Sequence, residues 1–204
     1  MKKVMFTIVI ILFGSWIWAI LRGNMPLIDQ WLQPLWIAPD GSMVQSVFSQ
    51  LTHLGSKVVL IPLTIFMMLV FVIIYRHWFQ AFILGGGTLL SYGILSVLKF
   101  LFKRERPSIW PAVNAEGFSF PSGHALIATV FYGLLIYFIT KKLKSIHFRN
   151  LTRIIGLTVI VIVGLSRVIL NVHYVTDILA GFLFGYILYK IFIKAYEVVD
   201  RTQS

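Results

Sequence analysis

Apolar residues come in long runs along this chain, and polar positions are confined to the short gaps between them. A membrane-crossing helix needs about 20 mostly apolar residues. Six stretches approach or meet that length, at about 4–21, 58–75, 80–98, 123–140, 151–170 and 175–194. The pattern predicts an all-α polytopic membrane protein, a bundle of six transmembrane helices forming a single membrane-embedded domain over 1–204. Lys2 and Lys3 precede the first run as they would in a signal peptide. That run continues through Trp16, Trp18 and Ile20 with no small-x-small cleavage site, so a retained helix is expected. In the first outer loop, Leu27, Ile28, Trp31, Leu32, Leu35 and Trp36 have the spacing of a short amphipathic helix near 25–37, lying in the membrane interface. Pro34 opposes its continuity. Gly85-Gly86-Gly87 falls inside the third run without a following Gly-Lys-Ser/Thr, and reads as a place of close helix packing.

Composition supports lipid as the solvent. Residues are 58% hydrophobic and 12% charged, about half the charged share of a soluble domain, and mean hydropathy is +0.87. With no cysteine, disulfide and thiolate chemistry are excluded. A net charge of +11 could serve nucleic acid or an acidic membrane surface. Most of the basic residues sit at the ends of apolar runs, so topology is the better explanation and no nucleic acid partner is expected. Cytoplasmic termini would put Lys2, Lys3, Arg76, the cluster from Lys141 to Arg153, Lys190, Lys194 and Arg201 inside. Lys99, Lys103, Arg104 and Arg106 then fall outside, against that bias, and call for another explanation.

Polar residues at membrane depth are costly and usually functional. Three groups stand out: Lys99 with Arg106-Pro107, Pro121-Ser122-Gly123-His124, and Ser166-Arg167 with His173 and Asp177. Alternating topology brings all three to one side of the bilayer. Lys99, Arg106 and Arg167 are cations suited to phosphate oxygens. The fourth and sixth helices both begin on this side, turning free N–H groups and positive dipole ends toward it. Ser122 can cap a helix or donate to phosphate, and Gly123 lets backbone approach an anion closely. His173 and Asp177 are four apart and share a face if the last helix includes both. The carboxylate can hold one imidazole nitrogen protonated and free the other to attack, while His124 protonates a leaving oxygen.

The pattern Lys99-x6-Arg106-Pro107, Pro121-Ser122-Gly123-His124 and Ser166-Arg167-x5-His173-x3-Asp177 resembles the three-part signature of the type-2 phosphatidic acid phosphatase family. Its blocks lie within 99–177, in order and intact. Thr52-His53-Leu54-Gly55-Ser56 also resembles a segment common in bacterial members. The resemblance implies a phosphohistidine on His173, oriented by Asp177, with His124 as general acid. Lys99, Arg106, Ser122, Gly123 and Arg167 would bind the phosphoryl oxygens, and Ser166 and Pro121 would shape the site. No cofactor or metal is implied, because fixed cations take the part of a magnesium ion. The substrate would be a membrane lipid phosphate or diphosphate reached from the bilayer, on the extracytoplasmic side of a bacterial plasma membrane. Undecaprenyl diphosphate is favoured, on the compact chain and the extra Lys103-Arg104 pair; phosphatidylglycerol phosphate, phosphatidic acid and diacylglycerol diphosphate are the other candidates.

Plainer readings stand beside these. His53, His77 and His147 read as packing or interface residues, and Asp177 could simply neutralise Arg167. Lys103-Arg104-Glu105 could be a solvated turn, or its cations could reach a second phosphate or an anionic headgroup. A phosphotransferase of the same family, passing phosphate to a lipid acceptor, and a non-enzymatic lipid transporter or flippase are the rival functions. A soluble haloperoxidase shares the phosphate-pocket pattern, but six apolar runs oppose it.

Overall fold

The structure, a computed structural model, describes residues 14–107 and 117–202. Helix α1 covers 14–21 of the described chain. Then come α2 (Leu27–Trp36), α3 (Met43–Leu51), a 3-10 turn (Thr52–Gly55), α4 (Lys57–Ile73), α5 (Trp78–Phe102), α6 (Gly123–Lys142), α7 (Ile146–Ile169) and α8 (Val175–Thr202). The described residues contain no strand.

Helices α5, α6, α7 and α8 are each long and apolar enough to cross a membrane. The second expected span differs. Helix α4 has 17 residues and rises only about 26 Å, short of a hydrocarbon core of about 30 Å. It reaches spanning length only together with Met43–Gly55, from which it bends by 42°. The first expected span lies largely outside the described residues. The last helix is longer than its apolar run, which ends near 194. The extra turns place Glu197 and Asp200 within reach of the Tyr137 and Tyr196 hydroxyls, at 2.8 and 3.0 Å.

Helix α6 is the centre of the bundle. Its apolar stretch is 61% buried inside the protein, against 33% for those of α7 and α8. Leu126, Val130, Leu134 and Phe138 are fully covered. The outer helices instead leave apolar faces uncovered, such as Ile61, Ile65 and Leu69 on α4, or Ile154, Leu157 and Val161 on α7. Such stripes at helical spacing are what lipid-facing helices present.

Small residues set how closely these helices approach. A Cβ on Gly181 would lie 2.7 Å from the Ser122 carbonyl oxygen, and one on Gly185 would lie 2.7 Å from the Leu126 carbonyl. Helices α6 and α8 therefore touch backbone to backbone, through glycines spaced as in a small-xxx-small seam. The glycine triplet of α5 behaves unevenly. Gly85 faces the Met68 side chain, Gly87 faces Leu134 and Phe192, and Gly86 has open space.

Helix α2 forms where an interfacial helix is expected, and it is continuous through Pro34, contrary to the interruption that proline predicts. The missing N–H costs one hydrogen bond near the end of a ten-residue helix. Leu27, Trp31 and Leu35 are exposed along one side, while Asp29 and Gln33 are buried on the other.

Gly181→Ala is expected to lower stability by about 1–3 kcal/mol through forced separation of two backbones. Gly93→Ala, where nothing lies within 4 Å, should be neutral. Thermal melting in detergent checks both, and equal melting temperatures would contradict the seam.

Candidate functional site

Four chain segments meet at one end of the bundle. The last turn of α5 carries Lys99, and its C-cap Lys103 adopts a left-handed conformation that ends the helix. Helix α6 starts there with Gly123 and His124, and Ser122 is its N-cap. Helix α7 ends there just past Arg167, and α8 begins there with Asp177 in its first turn. All eight residues expected to form the site converge on this region.

Seven of its polar or small residues line one cavity of about 490 Å³: Gly55, Lys99, Arg106, Gly123, His124, Arg167 and His173. Apolar Ile61, Leu89 and Leu95 form another part of the wall. Ile61 and Leu89 are also exposed on the outer surface, so the cavity reaches the lipid-facing side of α4 and α5.

His173 is held by the end of α7 rather than by α8. Asn171 has φ 51°, and the Val172 and His173 N–H groups both donate back to the Arg167 carbonyl, at 3.0 and 3.2 Å. Asparagine tolerates that left-handed backbone. The turn swings the imidazole toward α8, so sharing a helix with Asp177 is unnecessary. Nδ1 lies 3.4 Å from the Asp177 Oδ2 and 3.2 Å from the Ser119 Oγ.

The tautomer follows from donor chemistry. Arg106 Nη1 is 3.0 Å from His173 Nε2, and a guanidinium can only donate. Nε2 is therefore the lone-pair nitrogen, and Nδ1 carries the proton. Ser119 accepts from Nδ1–H and passes its own hydroxyl proton bond to Asp177. The His173 imidazole is lowered to about 3, mainly by burial; the hydrogen bond and charge of Asp177 oppose the shift, and Arg106 and Arg167 add to it. At neutral pH the ring is uncharged, with its lone pair facing the cavity.

Asp177 is neutralised by Arg104, not by Arg167. Arg104 Nη1 donates to Asp177 Oδ1 at 2.6 Å, and Nη2 donates to Asp29 Oδ2 at 2.7 Å. The guanidinium also covers the Tyr174 ring at 4.1 Å. Asp29, on α2, further accepts from the Thr176 N–H at 2.9 Å and its hydroxyl at 2.5 Å. The solvated-turn reading thus holds for exposed Lys103 and Glu105 and fails for Arg104. Gln33, one turn along α2, donates to Asn171 Oδ1 at 2.9 Å. The inner face of α2 is a polar brace against the His173 loop.

The expected phosphate ligands have different surroundings. Arg167 donates to the Thr52 hydroxyl at 2.9 Å, and its Nε is buried with no partner among the described residues. Lys99 donates to the Phe118 carbonyl, and Arg106 donates to the Gly117 and Val172 carbonyls at 2.9 and 2.7 Å. Ser122 is fully buried and its Oγ accepts from Ala125 N–H, so capping occupies it. Gly123, with Leu95 directly beside it, gives the cavity its wall instead. Ser166 donates to the Val163 carbonyl within its own helix.

Sequence reasoning missed Asp29, Gln33, Ser119 and Thr176. Asp29 alone left a signal, as one of only seven acidic residues and the one charge on α2. Ser119 left none, because it reaches His173 only through the path of the loop.

Nitrogen-15 NMR of histidine-labelled protein should show His173 neutral with the proton on Nδ1 at pH 5.5. A titration midpoint near the ordinary value of about 6.5 would contradict this. The same depression means that the unfolded chain binds this proton first, so its contribution to stability is full above about 6.5 and falls away as pH drops toward 3.

The PAP2 superfamily pattern matches residues 80–200, more than half of the chain. Phosphatidylglycerophosphatase B of Bacillus subtilis (strain 168) is 35% identical over 150 residues, which cover 72% of each chain. The crystal structure of a transmembrane PAP2-type phosphatidylglycerolphosphate phosphatase from Bacillus subtilis superposes with a TM-score of 0.82 and 27% identity. That match covers 97% of this chain and 96% of the other. LpxE from Aquifex aeolicus shares the fold, with a TM-score of 0.66 and 24% identity over 83% of this chain and 99% of its own. The three blocks that converge on the cavity lie inside the matched region, and this chain belongs to the PAP2 superfamily.

Proposed function

We propose that this chain is an integral-membrane lipid phosphatase that removes the terminal phosphate of a lipid headgroup, using His173 as nucleophile. One observation carries the reading: a neutral imidazole with its lone pair on Nε2 faces a cavity that also presents Lys99, Arg106 and Arg167 and opens on the lipid-facing side. Lys99, Arg106, Arg167 and the N-terminal backbone around Gly123 hold the phosphoryl oxygens.

The reaction takes two displacements. The Nε2 lone pair bonds to phosphorus as the bond to the departing oxygen breaks, and His124, in its protonated form, gives that oxygen a proton. The Arg106 fork releases Nε2 at this step and turns onto a phosphoryl oxygen. Water then attacks phosphorus, the P–N bond breaks, and His124 takes the proton from the water. Asp177 and Ser119 keep Nδ1 protonated at the start and offset the positive charge on the ring while it carries phosphate. The fixed cations supply the charge stabilisation, so no metal is required.

Phosphatidylglycerol phosphate is the leading substrate, supported by what the relatives are named for. The case for undecaprenyl diphosphate from the Lys103-Arg104 pair is weakened, because Arg104 is bound by two carboxylates. A diphosphate remains the second reading, since the cavity carries more cations than one phosphomonoester needs. The site belongs on the extracytoplasmic side if the basic segment from Lys141 to Arg153 is cytoplasmic. The exposed stripe of Leu27, Trp31 and Leu35 then rests at headgroup depth. The same placement supports six spans, the first being the apolar run at about 4–21.

Purified protein in detergent with EDTA should release inorganic phosphate from a panel of lipid phosphates, fastest from phosphatidylglycerol phosphate. His173→Ala and His124→Ala should each lose nearly all of that rate, and Ser119→Ala should lose about tenfold in kcat, the worth of one buried hydrogen bond. Release only when an acceptor alcohol is added would make the protein a phosphotransferase. No turnover by folded protein would favour a transporter.

A further inference from the structure

The cavity wall includes residues outside the three signature blocks, among them Lys57, Tyr92 and Ser96. Tyr92, Ser96 and Lys99 follow one stripe of α5 at spacings of four and three residues. Tyr92 lies two turns, about 10 Å, from Lys99 along the helix axis, on the side toward the bilayer centre. Leu89 continues the stripe one turn further, and Ile61 stands one turn beyond Lys57 on α4. Along α5 the wall changes from cation to phenol to hydrocarbon, and along α4 from cation to hydrocarbon.

Two groups of this region lack a polar partner among the described residues. The Tyr92 hydroxyl is buried and makes no hydrogen bond among the described residues. Such a group costs free energy unless something else satisfies it. The Lys57 ammonium lies over the Tyr92 ring at 5.7 Å from its centroid, and among the described residues no carboxylate pairs with it. Among the described residues, Lys57, Lys99, Arg106 and Arg167 line the cavity with no acid in its wall. One phosphomonoester dianion leaves two of those charges unbalanced.

We propose that Lys57 and Tyr92 form a second phosphate subsite, which selects lipids whose headgroup carries two phosphates over those with one. This rests on the lipid phosphatase reading. In a lipid with two phosphates the reacting group is outermost, and the other lies between it and the chains. That order is the order of the wall: the nucleophile with its cations, then Lys57 and Tyr92, then Leu89 and Ile61. The subsite takes a phosphodiester across a glycerol or the inner phosphate of a diphosphate, both being singly charged oxygens flanking phosphorus. Tyr92 donates its hydroxyl proton, and Lys57 supplies the charge.

The test is the ratio of kcat/KM for a two-phosphate lipid to that for phosphatidic acid, measured by phosphate release. Phosphatidylglycerol phosphate and a prenyl diphosphate are the two arms. Lys57→Met should lower the ratio about tenfold through KM, the size of one charge-assisted hydrogen bond. Tyr92→Phe should lower it about threefold, and Lys57→Arg should restore most of the wild-type ratio. The arm in which the ratio falls identifies which second phosphate is held. Ratios within twofold of wild type in both arms, with phosphate still released, would overturn the subsite and leave the phosphatase reading standing. Failure of folded wild-type protein to release phosphate from any lipid would overturn both.

Discussion

The approach of α6 to α8 at Gly181 and Gly185 is the constraint on which the rest of the site depends. Backbone touches backbone there, in a bundle whose outer helices have only lipid to drive them inward. In a bilayer, apolar burial does little to bring helices together, and close packing of small residues takes its place. The seam lies directly beneath the start of both helices. Ser122 N–H donates to the Asp177 carbonyl at 3.0 Å, so the two helix beginnings are tied as well as packed. His124 and Asp177 come from distant parts of the chain, and their common position follows from this contact.

Above the seam, a buried charge network replaces the solvent that Asp177 has lost. Two carboxylates and one guanidinium are expensive to bury, and the cost is offset only when every oxygen and N–H finds a partner. Asp29 has Arg104 and both donors of Thr176. Asp177 has Arg104, Ser119, the Tyr174 N–H and the His173 ring. Removing Arg104 would leave both buried carboxylates without a counter-charge. This network lets α2 act on the site: it brings Asp29 and Gln33 inward while Leu27, Trp31 and Leu35 face out. The orientation of the His173 ring is thus coupled to a helix whose other side is apolar and exposed.

Much of this was legible in the sequence, because a membrane protein has few reasons to carry polar residues inside apolar runs. Lys99, Arg106, His124, Arg167, His173 and Asp177 stood out on that ground, and alternating spans were enough to bring them together. Residues whose roles come from loop paths were not legible. Ser119 meets His173 through the turn before α6, and Arg104 reads like its exposed neighbours Lys103 and Glu105 until its two carboxylates are seen. Hydrophobic periodicity also overstated α4, whose apolar run is too short to span without the bent segment before it. Pro34 shows the opposite error, since one missing hydrogen bond does not end a helix that side-chain contacts hold in place.

The central claim is that phosphate passes through His173 Nε2, and the most direct measurement is to trap it there. Protein mixed with a lipid phosphate, quenched in alkali where a phosphoramidate survives, and digested should yield a phosphorylated peptide containing His173. The account predicts label on that histidine, absent in His173→Ala and lost on chase with unlabelled substrate. Phosphate release at the full wild-type rate by His173→Ala, or label found on His124 instead, would contradict it.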